Sequence, residues 1–400
     1  MIARAAASAL LRRMRSGRLV VDDGTRRHEF GAPGAELEAT VRVHTPRAWR
    51  RLLTGSVGLA RSYVDGDWDC SDTVSLFRIG AREMPRLDRM RRPFLPLRDA
   101  LSRIPLNTRA AAREHIAAHY DLGNELFELF LDPGMTYSCA VFDGPGESLA
   151  DAQERKLDLV CRKLGLGPGD HVVEIGSGWG SFALHAAGRY GCRVTTTTIS
   201  AEQHARATER VRAAGLSDRV EVLAQDYRDL RGRYDKLVSI EMVEAVGWQY
   251  FDEYFSSCSR LLRPGGEMLL QAIVIDDDAH EAEKASRTFI REMVFPAGCL
   301  PSVRVIDNCL RRVTDLRRLH LDDLTNHYPE TLRRWRERFV AAAGQLEELG
   351  YDRPFRRLWE LYLAYCEAGF RERRIRVMQI SLAKQARPAA RAPALATALG

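Results

Sequence analysis

Cysteine pairs at metal or redox spacing are missing from this chain of 400 residues. Its eight cysteines, Cys70, Cys139, Cys161, Cys192, Cys258, Cys299, Cys309 and Cys366, form no C-x-x-C pair. That argues against a zinc site and a disulfide framework, and it fits a reducing, cytosolic compartment. Long apolar runs are missing too: none approaches the ~20 residues of a membrane span. The patch Ala5 to Leu11 is too short for a signal peptide and runs into Arg12-Arg13. Any work on lipid therefore begins from the water side, at the inner face of the cell membrane. Acid is absent from Met1 to Arg18 and sparse from Arg86 to Arg103, both rich in arginine. With a net charge of +6, such stretches suit a phosphate-bearing partner, and ordinary solvated helix faces carry the same composition. Finally, no Lys-Ser/Thr pair follows the glycine-rich turn of the chain, which argues against a phosphate-cradling P-loop.

That turn is the centre of the sequence. Val172 to Ile175 is an apolar run carrying one acid, Glu174, and reads as a buried parallel strand. Gly176, Ser177, Gly178, Trp179 and Gly180 make a tight turn, and a helical pattern follows from Ser181 to Tyr190. Strand, glycine turn and helix together bring backbone N–H groups and a positive helix end to a ligand. The spacing G-x-G-x-G is tighter than the dinucleotide fingerprint, and an acid just before it can bind an amino group. This suits S-adenosylmethionine better than a pyrophosphate, although a plain structural turn of an α/β protein has the same pattern.

The α/β alternation continues as a doubly wound, Rossmann-like, mostly parallel sheet should. Strands are expected at 193–199, 220–224, 236–240 and 267–275, with helices at 201–214 and 251–262 between them. Ligands sit beyond the carboxyl ends of such strands. That rule collects Glu174, Gly176, Thr198, Asp226, Glu244 and Gln271 on one rim. Asp226-Tyr227 falls where an adenine would lie, its carboxylate accepting from the exocyclic amine. The second strand ends in Thr198-Ile199-Ser200 rather than an acid, which leaves ribose hydroxyls to Thr198, Ser200 or Gln203.

Around this core, residues 1–84 read as a small α/β accessory domain and 85–112 as a basic, Pro-rich linker. Pro85, Pro93, Pro96 and Pro105 argue against one long helix there, and the linker's arginines beside Phe94, Leu95 and Leu97 suit an anionic membrane surface. A helix is expected from Thr45-Pro46 through Thr54, and another within Arg287 to Leu300. The segments His119 to Asn124 and Met135 to Ala140 are too dense in polar and aromatic groups for linkers and suit a pocket. Long helical patterns, Leu332 to Gly350 and Arg353 to Phe370, can roof the donor with an apolar cap. Residues 113–385 then form the catalytic domain, and 386–400 a disordered Ala/Pro-rich tail.

Taken together, the chain resembles the cyclopropane-fatty-acyl-phospholipid synthase family of S-adenosylmethionine-dependent fatty-acid and mycolic-acid methyltransferases. The matching pieces include HYDLGNELFELFLDPGMTYSCAVF (119–142), VVEIGSGWGSFA (172–183), TTISAEQ (197–203), QDYRD (225–229), VSIEMVEAVG (238–247), LLQAIVID (269–276), HYPETL (327–332) and LYLAYCEAGFRERRI (361–375). The resemblance implies attack of a cis double bond of a phospholipid acyl chain on the donor methyl. A carbocation follows, a bound bicarbonate ion takes a proton, and a cyclopropane closes. It further implies that the anion is held by the Cys139 amide, Glu244, the Ile273 amide, Tyr328 and the position of Gln271, where the family carries a histidine. Tyr137, Ser138, the turn 174–180, Thr198 to Gln203, and Asp226, Tyr227 and Arg228 match donor-binding segments. Cys366 matches a cysteine sometimes considered catalytic, although no thiol is needed. Gln271, and Ala245 in place of a histidine, keep open a different exit, loss of a chain proton to leave a methylene branch that a separate reductase would saturate. A homodimer is compatible with the sequence, and nothing points to nucleic acid.

Overall fold

The computed structural model describes residues 2–91, 122–296 and 298–386. The N-terminal part is a four-stranded sheet in the order β2-β1-β3-β4, built from β1 (Arg18–Asp22), β2 (Arg27–Gly31), β3 (Glu38–Val43) and β4 (Trp68–Cys70). Helices α1 (Ile2–Leu11), α2 (Arg47–Leu52), α3 (Ser56–Val64) and α4 (Thr73–Arg91) accompany it. Ala7, Leu19, Val21, Phe30, Ala39 and Trp49 form its own apolar core.

The helix expected after Thr45-Pro46 is present as α2, with its cap and end differing from expectation, and the break expected at Pro85 is not there. The hydroxyl of Thr45 does not cap a helix through Thr54. It donates to Asp67 Oδ1 at 2.8 Å, and α2 stops at Leu52. The Asp67 carboxylate is fully buried and also accepts from Arg47 Nε at 2.6 Å and Ser62 Oγ at 2.9 Å. In the second case, α4 runs straight through Pro85, which thus marks no break. Contacts with the next domain outweigh the one backbone bond that proline removes. Arg78 and Arg82 each donate through Nε at 2.6 Å to Glu372, and Phe77 packs edge-on against Tyr365 with centroids 5.3 Å apart. Residues 92–112 of the expected linker, His119 to Asp121 of the first pocket motif, and residues 387–400 of the expected tail lie outside the described residues.

The larger sheet has seven strands in the order β10-β11-β9-β8-β5-β6-β7. β5 (His171–Ile175), β6 (Arg193–Thr198), β7 (Val220–Ala224), β8 (Tyr234–Ile240) and β9 (Leu262–Ile275) are the expected parallel strands. The chain enters β9 earlier than the Arg263-Pro264-Gly265-Gly266 stretch suggested. β10 (Leu316–Asp323) and β11 (Ile375–Lys384) are additional; β11 lies between β9 and β10 and is antiparallel to both. Its signal was readable in the alternation of Ile375, Val377, Gln379 and, beyond Ile380, Leu382.

The helices that carry the site are α5 (Asn124–Phe130), α6 (Leu149–Lys163), α7 (Ser181–Tyr190), α8 (Ala201–Ala213), α9 (Phe251–Leu261), α10 (Tyr328–Ala341) and α11 (Arg353–Arg371). Between β9 and β10 there are two short helices, His280–Lys284 and Phe289–Met293, where one was expected, followed by Val303–Val313. α11 joins the two parts: Arg357 donates to the carbonyls of Tyr63 at 2.6 Å and Trp68 at 2.9 Å. One apolar cluster consequently spans both, from Ala60, Tyr63 and Phe77 to Phe127, Trp335, Trp359 and Tyr362. Among the described residues, no helix is long and apolar enough to cross a membrane.

Candidate active site

β5 delivers Glu174 to the sheet's carboxyl edge and then breaks into the glycine turn. Gly176 takes φ +92°, and a Cβ there would stand 3.0 Å from the Met242 side chain, so only glycine fits. Gly180, at φ +87°, opens α7 and lets the turn approach Ala207 on α8. The buried Glu174 carboxyl accepts from Thr196 Oγ1 at 2.6 Å, and burial pushes its pKa up to about 8. A cationic ligand beside it would reverse that shift.

Opposite the turn stand Tyr137 and Ser138. Tyr137 shares a hydrogen bond with Tyr362 Oη at 2.9 Å, and Ser138 Oγ accepts from Lys156 Nζ at 2.8 Å. Lys156 is fully buried. Burial lowers its pKa, while Glu241, Asp132, Cys139 and Glu174 work to keep it charged. On the next strands, Thr198 Oγ1 donates to Gln203 Oε1 at 2.8 Å, leaving the Gln203 amide N–H groups for a ligand hydroxyl. Ser200, one of the ribose candidates, instead caps α8 by accepting from Gln203 N at 3.2 Å, and only Thr198, Ile199 and Gln203 of that trio and its neighbour reach the cavity. Asp226 and Tyr227 also line it, with the Asp226 carboxylate held in a fork by Arg228 Nε at 2.9 Å and Nη2 at 2.7 Å. Carboxyls, hydroxyls and a free amide around a glycine turn are the donor set an amino-acid nucleoside requires. The residues present therefore fit S-adenosylmethionine.

These groups line one end of a cavity of about 1260 Å3. It continues past Tyr328, Trp335, Tyr362, Tyr365 and Phe370 and ends against Leu59, Phe77, Met14 and Leu10 of the N-terminal part. The bay beyond the turn is thus mostly apolar and aromatic, and both domains wall it. Cys366 lines it as well; burial raises its thiol pKa to about 12, so it stays protonated and is no nucleophile at neutral pH.

The expected anion seat is assembled, but around a different residue. Glu241, which sequence reasoning passed over, extends its carboxylate into the group of donors. Its Oε1 accepts from Cys139 N at 2.9 Å and Gln271 Nε2 at 2.8 Å, and its Oε2 accepts a short hydrogen bond from Tyr328 Oη. Cys139 contributes its amide only, since its thiol is buried, protonated and turned to the Ala140 carbonyl at 3.3 Å. Gln271 lies behind Glu241 rather than on the cavity wall. Its Oε1 accepts from Gln379 Nε2 at 2.9 Å, and Gln379 Oε1 accepts from Lys163 Nζ at 2.6 Å, which aims the Gln271 amide N–H at Glu241. A separate bicarbonate does not fit among donors already turned to a carboxylate of the chain.

Glu244 is the second acid of the seat and takes only the Ile273 amide, on Oε1. Its Oε2 is buried without a partner. Burial, with the neighbouring Glu241 charge, pushes its pKa up to about 8. Burial raises the Glu241 pKa too, against the pull of Tyr328, the Cys139 amide, Gln271 and Lys156, so of two acids three residues apart Glu241 is the one whose charged form has several donors to hold it. Glu241 was legible only as an acid inside VSIEMVEAVG, three positions before the glutamate that drew attention.

A protein-family model, mycolic acid cyclopropane synthetase, matches residues 107–380. The chain is 40% identical over 401 residues to a tuberculostearic acid methyltransferase of Mycobacterium tuberculosis, covering 96% of this chain and 92% of that one. It is 38% identical over 346 residues to the cyclopropane-fatty-acyl-phospholipid synthase of Escherichia coli, covering 86% and 87%. Among solved structures it resembles a cyclopropane synthase from Mycobacterium tuberculosis at TM-score 0.64 and 30% identity, over 68% of this chain and 98% of that one. A mycolic acid cyclopropane synthase solved in complex with SAH and CTAB aligns at TM-score 0.63 and 32% identity, over 68% of this chain and 98% of that one.

Proposed function

The chain belongs to the mycolic acid cyclopropane synthetase family of S-adenosylmethionine-dependent methyltransferases, and on that premise we propose that it methylates the cis double bond of unsaturated acyl chains in phospholipid. The observation that carries this reading is the cavity, which joins a nucleoside-type rim to an apolar bay deep enough for an alkyl chain. An alkene is a weak nucleophile, and S-adenosylmethionine, when bound, supplies the sulfonium methyl it needs. The chain's own residues do the rest. Glu174 and the glycine turn orient the donor. Tyr328, Trp335, Tyr362 and Phe370 wall the bay, and aromatic surroundings of this kind exclude water and suit a carbocation.

Two exits from that cation are open: ring closure with loss of a proton from the transferred methyl, or a 1,2-hydride shift that brings the charge to the methyl-bearing carbon, followed by loss of a methyl proton; loss of a chain proton would give an internal alkene instead. The second, leaving a methylene branch for a separate reductase, is our reading. It is favoured by the anion seat, which departs from a bicarbonate site at Glu241 and Gln271, and by the relative matched over 96% of the chain, which is named for methyl transfer rather than for ring formation. Ring closure is favoured by the Escherichia coli relative. Access from a phospholipid surface is supported by Leu10 and Leu53, 47% and 45% exposed, which line the outer end of the cavity together with Arg13 and Arg86. The test is incubation with methyl-labelled donor and dioleoyl phosphatidylglycerol vesicles, followed by NMR of the released acids. Vinylidene protons support the methylene exit, cyclopropane protons the ring. Label that never enters lipid overturns the reading.

A further inference from the structure

We propose that Glu241 is the general base of this enzyme, a carboxylate of the chain standing where a bound bicarbonate would otherwise sit, so that turnover needs no external anion. The inference rests on the acyl-chain reading above. Its ground is a coincidence of donors. The Cys139 amide at 2.9 Å, the Gln271 amide at 2.8 Å and the Tyr328 hydroxyl converge on the two oxygens of one side chain, which also lines the cavity. Three donors leave a carboxylate with lone-pair capacity for a fourth partner.

A second, independent observation is the backbone. Glu241 holds φ +50°, a left-handed conformation that residues with a side chain adopt uncommonly. Such an outlier at a cavity wall points to a side chain kept for function. The local scaffold fixes it further, since Glu241 N donates to the Gln271 carbonyl at 2.7 Å. Gln271 is the matching half of the device. Its carbonyl oxygen is committed to Gln379, so it offers Glu241 an N–H and never a second negative charge. Lys156 supplies the compensating positive charge from behind Ser138.

The chemistry balances without a further reactant. The π electrons form a bond to the donor methyl while the sulfur–methyl bond breaks, and the sulfonium becomes a neutral thioether. A 1,2-hydride shift brings the positive charge to the methyl-bearing carbon, the transferred methyl loses one proton to the Glu241 carboxylate, and that C–H electron pair becomes the π bond of the methylene branch. The carboxylic acid then returns its proton to solvent as product leaves.

The test compares wild type, Glu241→Gln and Glu241→Gly in buffer stripped of carbon dioxide and in buffer with added bicarbonate, with labelled donor and dioleoyl phosphatidylglycerol vesicles. Wild type should turn over at the same rate, within about twofold, in both. Glu241→Gln should lose about 100-fold or more in turnover with donor affinity unchanged. Glu241→Gly relieves the left-handed strain, empties the seat and leaves its donors in place. It should be inactive without bicarbonate and regain at least about tenfold with it. Carbon-13 bicarbonate titration followed by NMR should show binding to Glu241→Gly and none to wild type. Bicarbonate binding by wild type, a wild-type rate that falls when carbon dioxide is removed, or an active Glu241→Gln would each overturn the assignment. A wild type that never labels lipid overturns the acyl-chain reading, and the titration still decides whether Glu241 fills the anion seat.

Discussion

The two halves of the cavity are built by opposite strategies. The donor rim is made of backbone, with glycines at 176 and 180 holding conformations or approaches that a side chain would block. The acceptor half is gathered from distant segments, the Cys139 amide on a loop, Glu241 at a strand end, Gln271 inside a strand and Tyr328 at a helix start. A backbone site is written in contiguous sequence. A side-chain site exists only after folding, and one substitution can change what it binds.

Four variants break or sharpen that contrast. The largest effect is expected from Lys156→Met, because this buried cation faces both halves. Removing it leaves Glu241 and Glu174 without their shared compensation, and a buried pair broken on one side costs about 3 kcal/mol or more. Chemical denaturation should show that loss, together with impaired donor binding and turnover. Next comes Glu174→Gln, which should act on the rim alone. Removing one charge-assisted contact to a cationic ligand should weaken donor binding about tenfold by calorimetry while circular dichroism stays unchanged.

Glu244→Gln should be milder. The neutral amide imitates the acid that Glu244 already is, so turnover at pH 7 should stay within about threefold of wild type. The pH dependence separates the two states. A carboxyl whose folded pKa is raised to about 8 stabilises the fold in its neutral form, fully below its unfolded value near 4.5, and that contribution fades as pH climbs toward 8 and beyond. Thermal melting should therefore fall between pH 6 and pH 9 less steeply in Glu244→Gln than in wild type. Glu174 and Glu241, whose pKa values burial also raises, contribute to the remaining slope. The smallest effect should come from Cys366→Ser, whose thiol is protonated and only lines the bay. Rates within about twofold of wild type are expected, and a collapse in turnover with folding intact would return this cysteine to the chemistry.

The contrast explains what could be read in advance. The strand–turn–helix around Glu174, the parallel order of β5 to β9 and the rim positions follow from patterns a few residues long, because hydrophobic period and glycine spacing are local. Pro85 misled because the cost of a proline in a helix is local while the repayment, Glu372 gripping Arg78 and Arg82, arrives from almost three hundred residues away. Glu241 was hidden for a similar reason. Its neighbour Glu244 has the same chemistry three positions on, and only the left-handed turn of the chain decides which of the two meets the donors of Cys139 and Tyr328. β11 was missed although its alternation was visible, because it follows a long helix with scarcely a turn signal between them.

The position of β11 has a consequence for biosynthesis. It leaves the ribosome last among the strands, yet it is inserted between two earlier ones and brings the Gln379 amide that orients Gln271. A nascent or C-terminally clipped chain can thus finish its nucleoside cleft while the proton acceptor is still unaimed. If Glu241 is the base, completion of turnover then waits on the strand that is synthesised last.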